Sequence, residues 1–155
     1  MLFRSPDDVS WAQGISDRIR EARGLQVVVP CHNDLLNANF IDDGTRIRIV
    51  DWEYAGMGDR FFDLANFSIN HEFGPDDDER LLEAYFGDLR PEHAASLRLM
   101  RFMSDFREAM WGVVQQAVSA LDVDFVAYAN QHFARLRRTE DDPAFRQALA
   151  RGPSG

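Results

Sequence analysis

A turn signature in the first third of the chain, Asp42-Asp43-Gly44-Thr45, separates two short strand-like runs. Residues 39–41 and 46–50 lie on either side of this turn, and the pattern is typical of a β-hairpin. In the second run two isoleucines, Ile47 and Ile49, alternate with arginines, so we expect one dry face and one wet face. A hairpin brings its two ends together, and the segments that flank it must therefore meet in space.

The patterning outside the hairpin predicts helices, preceded by one strand. Residues 8–23 carry apolar side chains four apart, and Gly24 is the expected end of that helix. The apolar, β-branched run over residues 25–30 predicts a short buried strand. Further helices are predicted over residues 63–70, over 75–86 with Gly87 as the stop, over 91–119, and from Asp122 or Asp124 to about Arg137. The predicted fold class is α+β, mostly helical, with one small hairpin.

Composition and charge limit the kinds of function. The 155 residues suit one domain, and 17 basic against 26 acidic residues give a net charge of −9. This charge disfavours binding to nucleic acid or to an anionic membrane, and suits a cationic small molecule or a phosphate compound delivered with magnesium. The single cysteine, Cys31, excludes an internal disulfide and a cysteine-based zinc cluster. Without a membrane-length apolar run or a signal-peptide core, a cytosolic protein is expected.

Two polar segments flank the predicted hairpin: HNDLLNAN over residues 32–39 and DWE over residues 51–53. Four oxygen-bearing side chains should converge there, namely those of Asp34, Asn39, Asp51 and Glu53. Hard oxygen ligands without cysteine suit Mg²⁺ better than a transition metal. Phosphoryl transfer uses one carboxylate at the acceptor hydroxyl, and an Asn and a second Asp at the metal ions. The order of these residues is that of the catalytic and metal loops of protein kinases.

The segments HNDLLNAN, DWEYAG and FFDLAN, which lie between Val29 and Asn66, together resemble choline and ethanolamine kinases of the aminoglycoside-phosphotransferase-like superfamily. The resemblance implies a protein-kinase-like fold, with ATP as co-substrate and Mg²⁺ as cofactor. It implies roles for six residues: Asp34 as catalytic base, Asn39 and Asp51 as magnesium ligands, Glu53 as support for metal or substrate, His32 as support for the loop, and Asp63 as its brace.

The resemblance extends to aromatic residues that would hold a quaternary ammonium group. The implied set is Tyr54, Trp111, Phe125 and Tyr128. The family often carries a second aromatic three residues before the tryptophan, and Glu108 stands at that place here. The aromatic residues of the long helix, Trp111 among them, equally fit an apolar stripe that packs into a core.

The resemblance implies the C-terminal lobe of the family alone. The segment before the catalytic loop has room for one helix and one strand, and all 17 basic residues are arginine, so the strand lysine that grips ATP phosphates is missing. The predicted organisation is a kinase-like C-lobe over residues 1–138, with a catalytic loop at 31–39, a metal loop at 51–56 and a helical substrate-binding part at 76–137. A loosely held tail follows over 139–155, and the N-terminal ATP lobe is absent.

The predicted function is ATP- and Mg-dependent phosphorylation of the hydroxyl of a small cationic amino alcohol, choline or ethanolamine. Negligible turnover is expected from this chain alone. It could be a fragment of a full kinase, a lobe partnered by a separate N-lobe chain, or a degenerate relative. One alternative function is a phosphotransferase for aminoglycosides or sugar-like compounds. The other is a non-catalytic ligand-binding or interaction module, a degenerate kinase lobe whose exposed face would stay apolar and self-associate.

Overall fold

The computed structural model describes residues 6–151, and only the backbone of residue 6. Within this range the chain forms six α-helices, four short β-strands and one 3-10 helix. In chain order the elements are α1 (Pro6–Arg23), β1 (Val28–Cys31), the 3-10 helix (Asn37–Asn39), β2 (Phe40–Asp42), β3 (Ile47–Ile49), β4 (Gly56–Asp59), α2 (Arg60–Asn70), α3 (Pro75–Phe86), α4 (Pro91–Val118), α5 (Phe125–Asp141) and α6 (Pro143–Ala150). The predicted helices and hairpin are confirmed.

The chain divides into two units. The hairpin unit is Leu25–Arg101, and the helical unit consists, within the described range, of residues 6–24 and 102–151. No described helix is long and apolar enough to cross a membrane.

Two antiparallel strand pairs define the hairpin unit. β2 pairs with β3, and Phe40 lies opposite Ile49. Their turn is stabilised by the carboxylate of Asp43, which accepts hydrogen bonds from the backbone amides of Thr45 and Arg46. β1 pairs with β4, and Val28 lies opposite Asp59. Sequence patterning missed this second pair because the strand Gly56–Asp59 contains no β-branched residue.

Two expectations about burial in this unit are wrong. The predicted buried strand over residues 25–30 begins only at Val28, and Leu25 and Val28 are both exposed. The predicted dry face of β3 is also open, since Ile47 is 66% exposed and Ile49 is 40% exposed. The alternation of apolar and polar residues shows that the two faces of a strand differ, but it does not show that other elements cover either face.

Local capping explains where the helices begin and end. Asp59 caps α2 by accepting a hydrogen bond from the amide of Phe61, so α2 begins three residues before the predicted start. Gly87 ends α3 in a left-handed conformation with φ 79°, which a glycine adopts without strain. Of the two predicted caps for α5, the structure uses Asp124, whose side chain accepts from the amide of Ala127.

The core of the helical unit draws on α1, α4, α5 and α6. Its fully buried side chains include Ala12, Phe102, Phe133, Leu136 and Phe145. The rings of Phe102 and Phe145 stack with their centroids 5.6 Å apart.

The prediction of a loosely held chain from about Arg138 is wrong for the described residues. α5 continues to Asp141, and α6 begins at once behind an Asp142 cap with Pro143 in its first turn. Phe145, Ala148 and Leu149 are buried, and this i, i+3, i+4 spacing places them on one side of α6.

Candidate active site

The side chain of Asp63 on α2 holds the polar loop between β1 and the 3-10 helix through hydrogen bonds. One carboxylate oxygen of Asp63 accepts from the backbone amide of His32 and the other from that of Asn33, both at 2.7 Å. Asn33 has a positive φ of 66°, a conformation that asparagine tolerates better than most residues. A carboxylate that accepts two backbone N–H groups makes strong, charge-assisted hydrogen bonds, so it determines where the loop begins.

His32 joins this loop to the end of the hairpin. Its Nε2 lies 2.9 Å from the carbonyl oxygen of Val50, and its Nδ1 accepts from the amide of Asp34 at 3.3 Å. The tautomer with the proton on Nε2 satisfies both contacts. The ring is buried and lies edge-on to the Trp52 ring, with the centroids 4.6 Å apart. Both nitrogens of His32 are used for positioning.

Asn66 and Asn70 hold the middle of the loop, and sequence reasoning missed both. The Asn66 side-chain oxygen accepts from the amide of Leu35 at 2.6 Å, and the Asn70 amide donates to the Leu35 carbonyl at 3.4 Å. Together with Asp63 they form polar positions i, i+3 and i+7 on α2. A polar stripe of this kind on a helix with many apolar residues is the sequence signal that could have identified Asn66 and Asn70.

Asn39 is buried at the end of the loop, and its amide nitrogen donates to the backbone carbonyl of Asp34 at 2.8 Å. The backbone carbonyl of Asn39 accepts a hydrogen bond from the backbone amide of Val50 at 3.0 Å, and this bond closes the base of the hairpin. Because the side-chain nitrogen is engaged with Asp34, the side-chain oxygen Oδ1 is the atom left to bind a cation.

Asp51 and Glu53 follow directly after β3. Asp51 has a left-handed backbone conformation with φ 64°, which is strained for a residue with a side chain. Both side chains are exposed, and neither makes a hydrogen bond or ion pair with any residue from 6 to 151. Two acidic groups therefore lie near the base of the hairpin without a neutralising partner among residues 6–151.

The donor chemistry of this site fits a hard cation. The oxygens of Asn39, Asp51 and Glu53 are the kind that Mg²⁺ prefers. Among the described residues, no group of three or more His, Cys, Asp or Glu side chains could hold a metal ion. A magnesium site here therefore needs the amide oxygen of Asn39 and further oxygens from water or phosphate.

Cys31, at the end of β1, is not a nucleophile at neutral pH. Burial raises the pKa of its thiol from 9.0 to about 11, and the nearby carboxylates of Asp63 and Asp59 add to that rise. The thiol therefore stays protonated, and its side chain contributes to an apolar cavity of about 290 Å³ that Leu35 and Phe67 also line.

Three of the four predicted aromatic residues meet in the helical unit. The Trp111 ring is 43% exposed, and it lies edge-on to Phe125 at 5.6 Å and to Tyr128 at 5.5 Å between centroids. Phe125 is buried, so its ring packs against Trp111 and does not present an exposed face to a ligand. Tyr54 belongs to the hairpin unit, where its ring is exposed and its carbonyl accepts from the Asn33 side chain at 3.0 Å.

Tyr128 is held at its hydroxyl by Glu108. The hydroxyl donates to one carboxylate oxygen of Glu108 at 2.7 Å, and Arg107 donates to the other oxygen at 2.5 Å. Burial first, and then the bond to Glu108, raise the pKa of Tyr128 well above its ordinary value. The tyrosine is therefore a neutral donor at every physiological pH.

Residues 3–100 match the sequence model of the phosphotransferase enzyme family. This match extends over more than half of the chain and includes the loop, the hairpin and α2. The protein belongs to the phosphotransferase enzyme family.

Two relatives place this phosphotransferase family member more closely, and one further structure shares its fold. A choline/ethanolamine kinase family protein from Mesorhizobium loti has a solved structure with TM-score 0.83 and 35% identity, covering 97% of this chain and 52% of that chain. Ethanolamine kinase 2 of Homo sapiens is 31% identical over 131 residues, 68% of this chain and 34% of the human protein. The structure of LicA in complex with AMP has TM-score 0.65 at 24% identity, covering 88% of this chain and 48% of that chain.

The chain thus spans about a third to a half of these relatives. The predicted resemblance to choline and ethanolamine kinases is confirmed, and so is the predicted fold, the C-terminal lobe of a protein-kinase-like fold.

In this phosphotransferase family member, α4 and α5 approach closely at Gly112. A Cβ atom at position 112 would lie 2.8 Å from Cδ1 of Tyr128 and 3.2 Å from the backbone nitrogen of Ala129. We therefore expect Gly112→Ala to push the Tyr128 ring aside and to lower the free energy of unfolding by about 1–3 kcal/mol. Urea denaturation of the wild type and the variant measures this difference in the free energy of unfolding.

The matched control is Gly14→Ala on α1, where an added Cβ meets no atom within 4 Å. There the helix propensity of alanine should raise stability by up to about 1 kcal/mol. Equal effects at both glycines would contradict the close approach at Gly112.

Proposed function

We propose that this protein is an ATP- and Mg-dependent phosphotransferase that phosphorylates the hydroxyl of a small cationic amino alcohol, with choline and ethanolamine as the favoured substrates. The observation that carries the proposal is the hydrogen-bond network at the base of the hairpin. The Asn39 side chain donates to the backbone carbonyl of Asp34, and the Asn39 backbone carbonyl accepts from the amide of Val50. The carbonyl of Val50 in turn lies within hydrogen-bond distance of His32 Nε2. One network thus holds the backbone at the proposed base, Asp34, at the proposed metal ligand Asn39, and at Val50, the residue before the proposed ligand Asp51.

In the proposed reaction Asp34 orients the acceptor hydroxyl and takes its proton. The hydroxyl oxygen forms a bond to the γ-phosphorus of ATP as the bond to the bridging oxygen breaks, and ADP leaves. Mg²⁺ at Asn39 and Asp51, supported by Glu53, supplies positive charge against the phosphate oxygens when it is bound. His32 and Asp63 hold the loop in position.

The aromatic residues provide the proposed site for the ammonium group. An electron-rich ring face attracts a cation that cannot donate hydrogen bonds, and Trp111 and Tyr128 present such rings. Phe125 supports Trp111 within the helical unit, and the predicted role of Tyr54, which belongs to the hairpin unit, stays a prediction. The names of the relatives at 31% and 35% identity support an amino alcohol as the acceptor.

We infer that the remaining ATP contacts come from an N-terminal lobe, because the chain contains no lysine and covers only 52% of the Mesorhizobium loti protein. Exposed apolar side chains of the hairpin unit, including Leu25, Val28, Ile47 and Met57, support a covering partner there. The boundaries at residues 1–138 and 139–155, self-association through this face, and a cytosolic location stay predictions.

Ligand binding to the chain as it stands tests the proposal. In calorimetric titrations at constant ionic strength, choline should bind and kanamycin should not. Trp111→Leu should weaken choline binding at least about tenfold, because desolvated cation–π contacts contribute about 2 kcal/mol.

Tyr85→Leu is the control, since it removes an exposed aromatic ring on α3, outside the proposed site. Binding of kanamycin without choline would replace the proposal by the aminoglycoside alternative. Binding of neither compound would favour the non-catalytic module.

A further inference from the structure

We propose that Glu108 is a positioning residue that, through the hydroxyl of Tyr128, makes the tyrosine ring a stronger partner for a cationic amine. This inference rests on the proposed function, because it concerns the same ammonium site.

The placement of Glu108 follows from the geometry of α4. Glu108 and Trp111 lie three residues apart on this helix, so both project from one side of it. Tyr128 on α5 contacts both residues, with its hydroxyl 2.7 Å from the Glu108 carboxylate and its ring 5.5 Å from the Trp111 ring. The Glu108 side chain is only 14% exposed, so the contact is largely shielded from water.

The chemical effect comes from the donated proton. A phenol that donates to a carboxylate makes a charge-assisted hydrogen bond, which shifts electron density from the O–H bond toward the oxygen and the ring. A ring face with more electron density attracts a cation more strongly. Poor solvation of the carboxylate increases this effect, because its field is less screened than at an exposed site.

Glu108 acts on the cation through the ring. One carboxylate oxygen accepts from Tyr128, and the other accepts from Arg107. The Arg107 contact keeps the carboxylate in place and reduces its ability to capture an amine by itself.

Other contacts keep the Tyr128 ring in place without Glu108. The ring lies against Gly112, and its centroid lies 4.6 Å from that of the His132 ring. His132 is anchored by the buried carboxylate of Asp105, which lies 3.0 Å from its Nδ1 and also accepts from Arg135. Removal of the charge at position 108 can therefore change the electronic character of the ring without moving it.

The test compares a cation with its neutral analogue. Choline and 3,3-dimethylbutanol, its uncharged carbon isostere, are titrated into the wild-type chain and into Glu108→Gln. The choline Kd should rise about three- to tenfold in the variant, while the Kd of the isostere stays unchanged. Glu21→Gln, which makes the same charge change on an exposed face of α1, should alter neither Kd.

Tyr128→Phe is the second variant and covers the case in which Glu108→Gln does not fold. It removes the donated proton but keeps the carboxylate, and it should weaken choline binding by a similar factor. In the Tyr128→Phe background, Glu108→Gln should have little further effect, because the link through the hydroxyl is already absent.

Each outcome has a distinct meaning. Equal weakening of choline and isostere would overturn the inference, because it would show that Glu108 only supports the packing of the ring. Unchanged choline binding in a folded Glu108→Gln or Tyr128→Phe variant would overturn it as well. A wild-type chain that binds no choline would contradict the proposed function itself.

Discussion

Replacement of Asp63 by asparagine should lower the free energy of unfolding by about 3 kcal/mol, because hydrogen bonds to a charged group contribute about 1.5–3 kcal/mol each. The Asp63 carboxylate accepts one backbone N–H from His32 and another from Asn33, and both contacts are short. Asparagine offers only one oxygen, so its NH₂ group would face one of the two donors. We therefore expect Asp63→Asn to be nearly as damaging as Asp63→Ala.

Urea denaturation and hydrogen exchange at two backbone amides test this prediction. At least one of the two amides, of His32 or of Asn33, should exchange much faster in Asp63→Asn than in the wild type, because asparagine offers an acceptor oxygen to only one of them. Asp77→Asn on α3 is the control, because its ion pair with Arg80 is exposed and long at 3.5 Å. Its cost should stay below about 1 kcal/mol. Similar costs at positions 63 and 77 would show that Asp63 does not anchor the loop.

Replacement of Asp51 by asparagine should weaken binding of a divalent cation at least about tenfold, since ligand charge strongly determines affinity for hard cations. Asparagine adopts the left-handed backbone conformation of position 51 as readily as aspartate, so the substitution removes the charge without adding strain. Mn²⁺ is the practical probe, because its paramagnetism reports binding through the relaxation of water. Glu53→Gln should have a smaller effect than Asp51→Asn.

Asp76→Asn is the matched control for Asp51. Asp76 is an exposed acid in the first turn of α3, and it makes no hydrogen bond or ion pair with a described residue. Its replacement removes the same charge at a position outside the hairpin and its flanking loops, and Mn²⁺ affinity should be unchanged. Equal loss of affinity at positions 51 and 76 would indicate general attraction to an acidic surface and would contradict a site at the hairpin.

Local signals in the sequence were sufficient for most of the secondary structure. The turn at residues 42–45, the helix start at Pro75, the stop at Gly87 and the cap at Asp124 all appear in the structure where they were predicted. Each of these features depends on the conformational preference of one residue or on a hydrogen bond between near neighbours, which a short segment contains in full.

The polar segments of the candidate site were also evident from the sequence, because their residue types and spacing match one chemistry. Their mutual placement was evident in part, since a hairpin must bring its two ends together. The hydrogen bonds and the strand pairing that join the site to distant parts of the chain were not evident from the sequence. Asn66 contacts Leu35 across 31 positions, and the pairing of β1 with β4 joins Val28 to Asp59.

The amino-acid sequence by itself thus determined the helices, the hairpin and the family, and it supplied the candidate residues for phosphoryl transfer, whose roles stay predictions. Only the tertiary structure decided which apolar side chains are covered, as the open faces of Ile47 and Ile49 and the buried face of α6 show. It also decided that Glu108 meets Tyr128, twenty residues away on another helix. The physical reason is that burial and side-chain pairing depend on packing between elements distant in the chain, whereas turns and caps depend on adjacent residues.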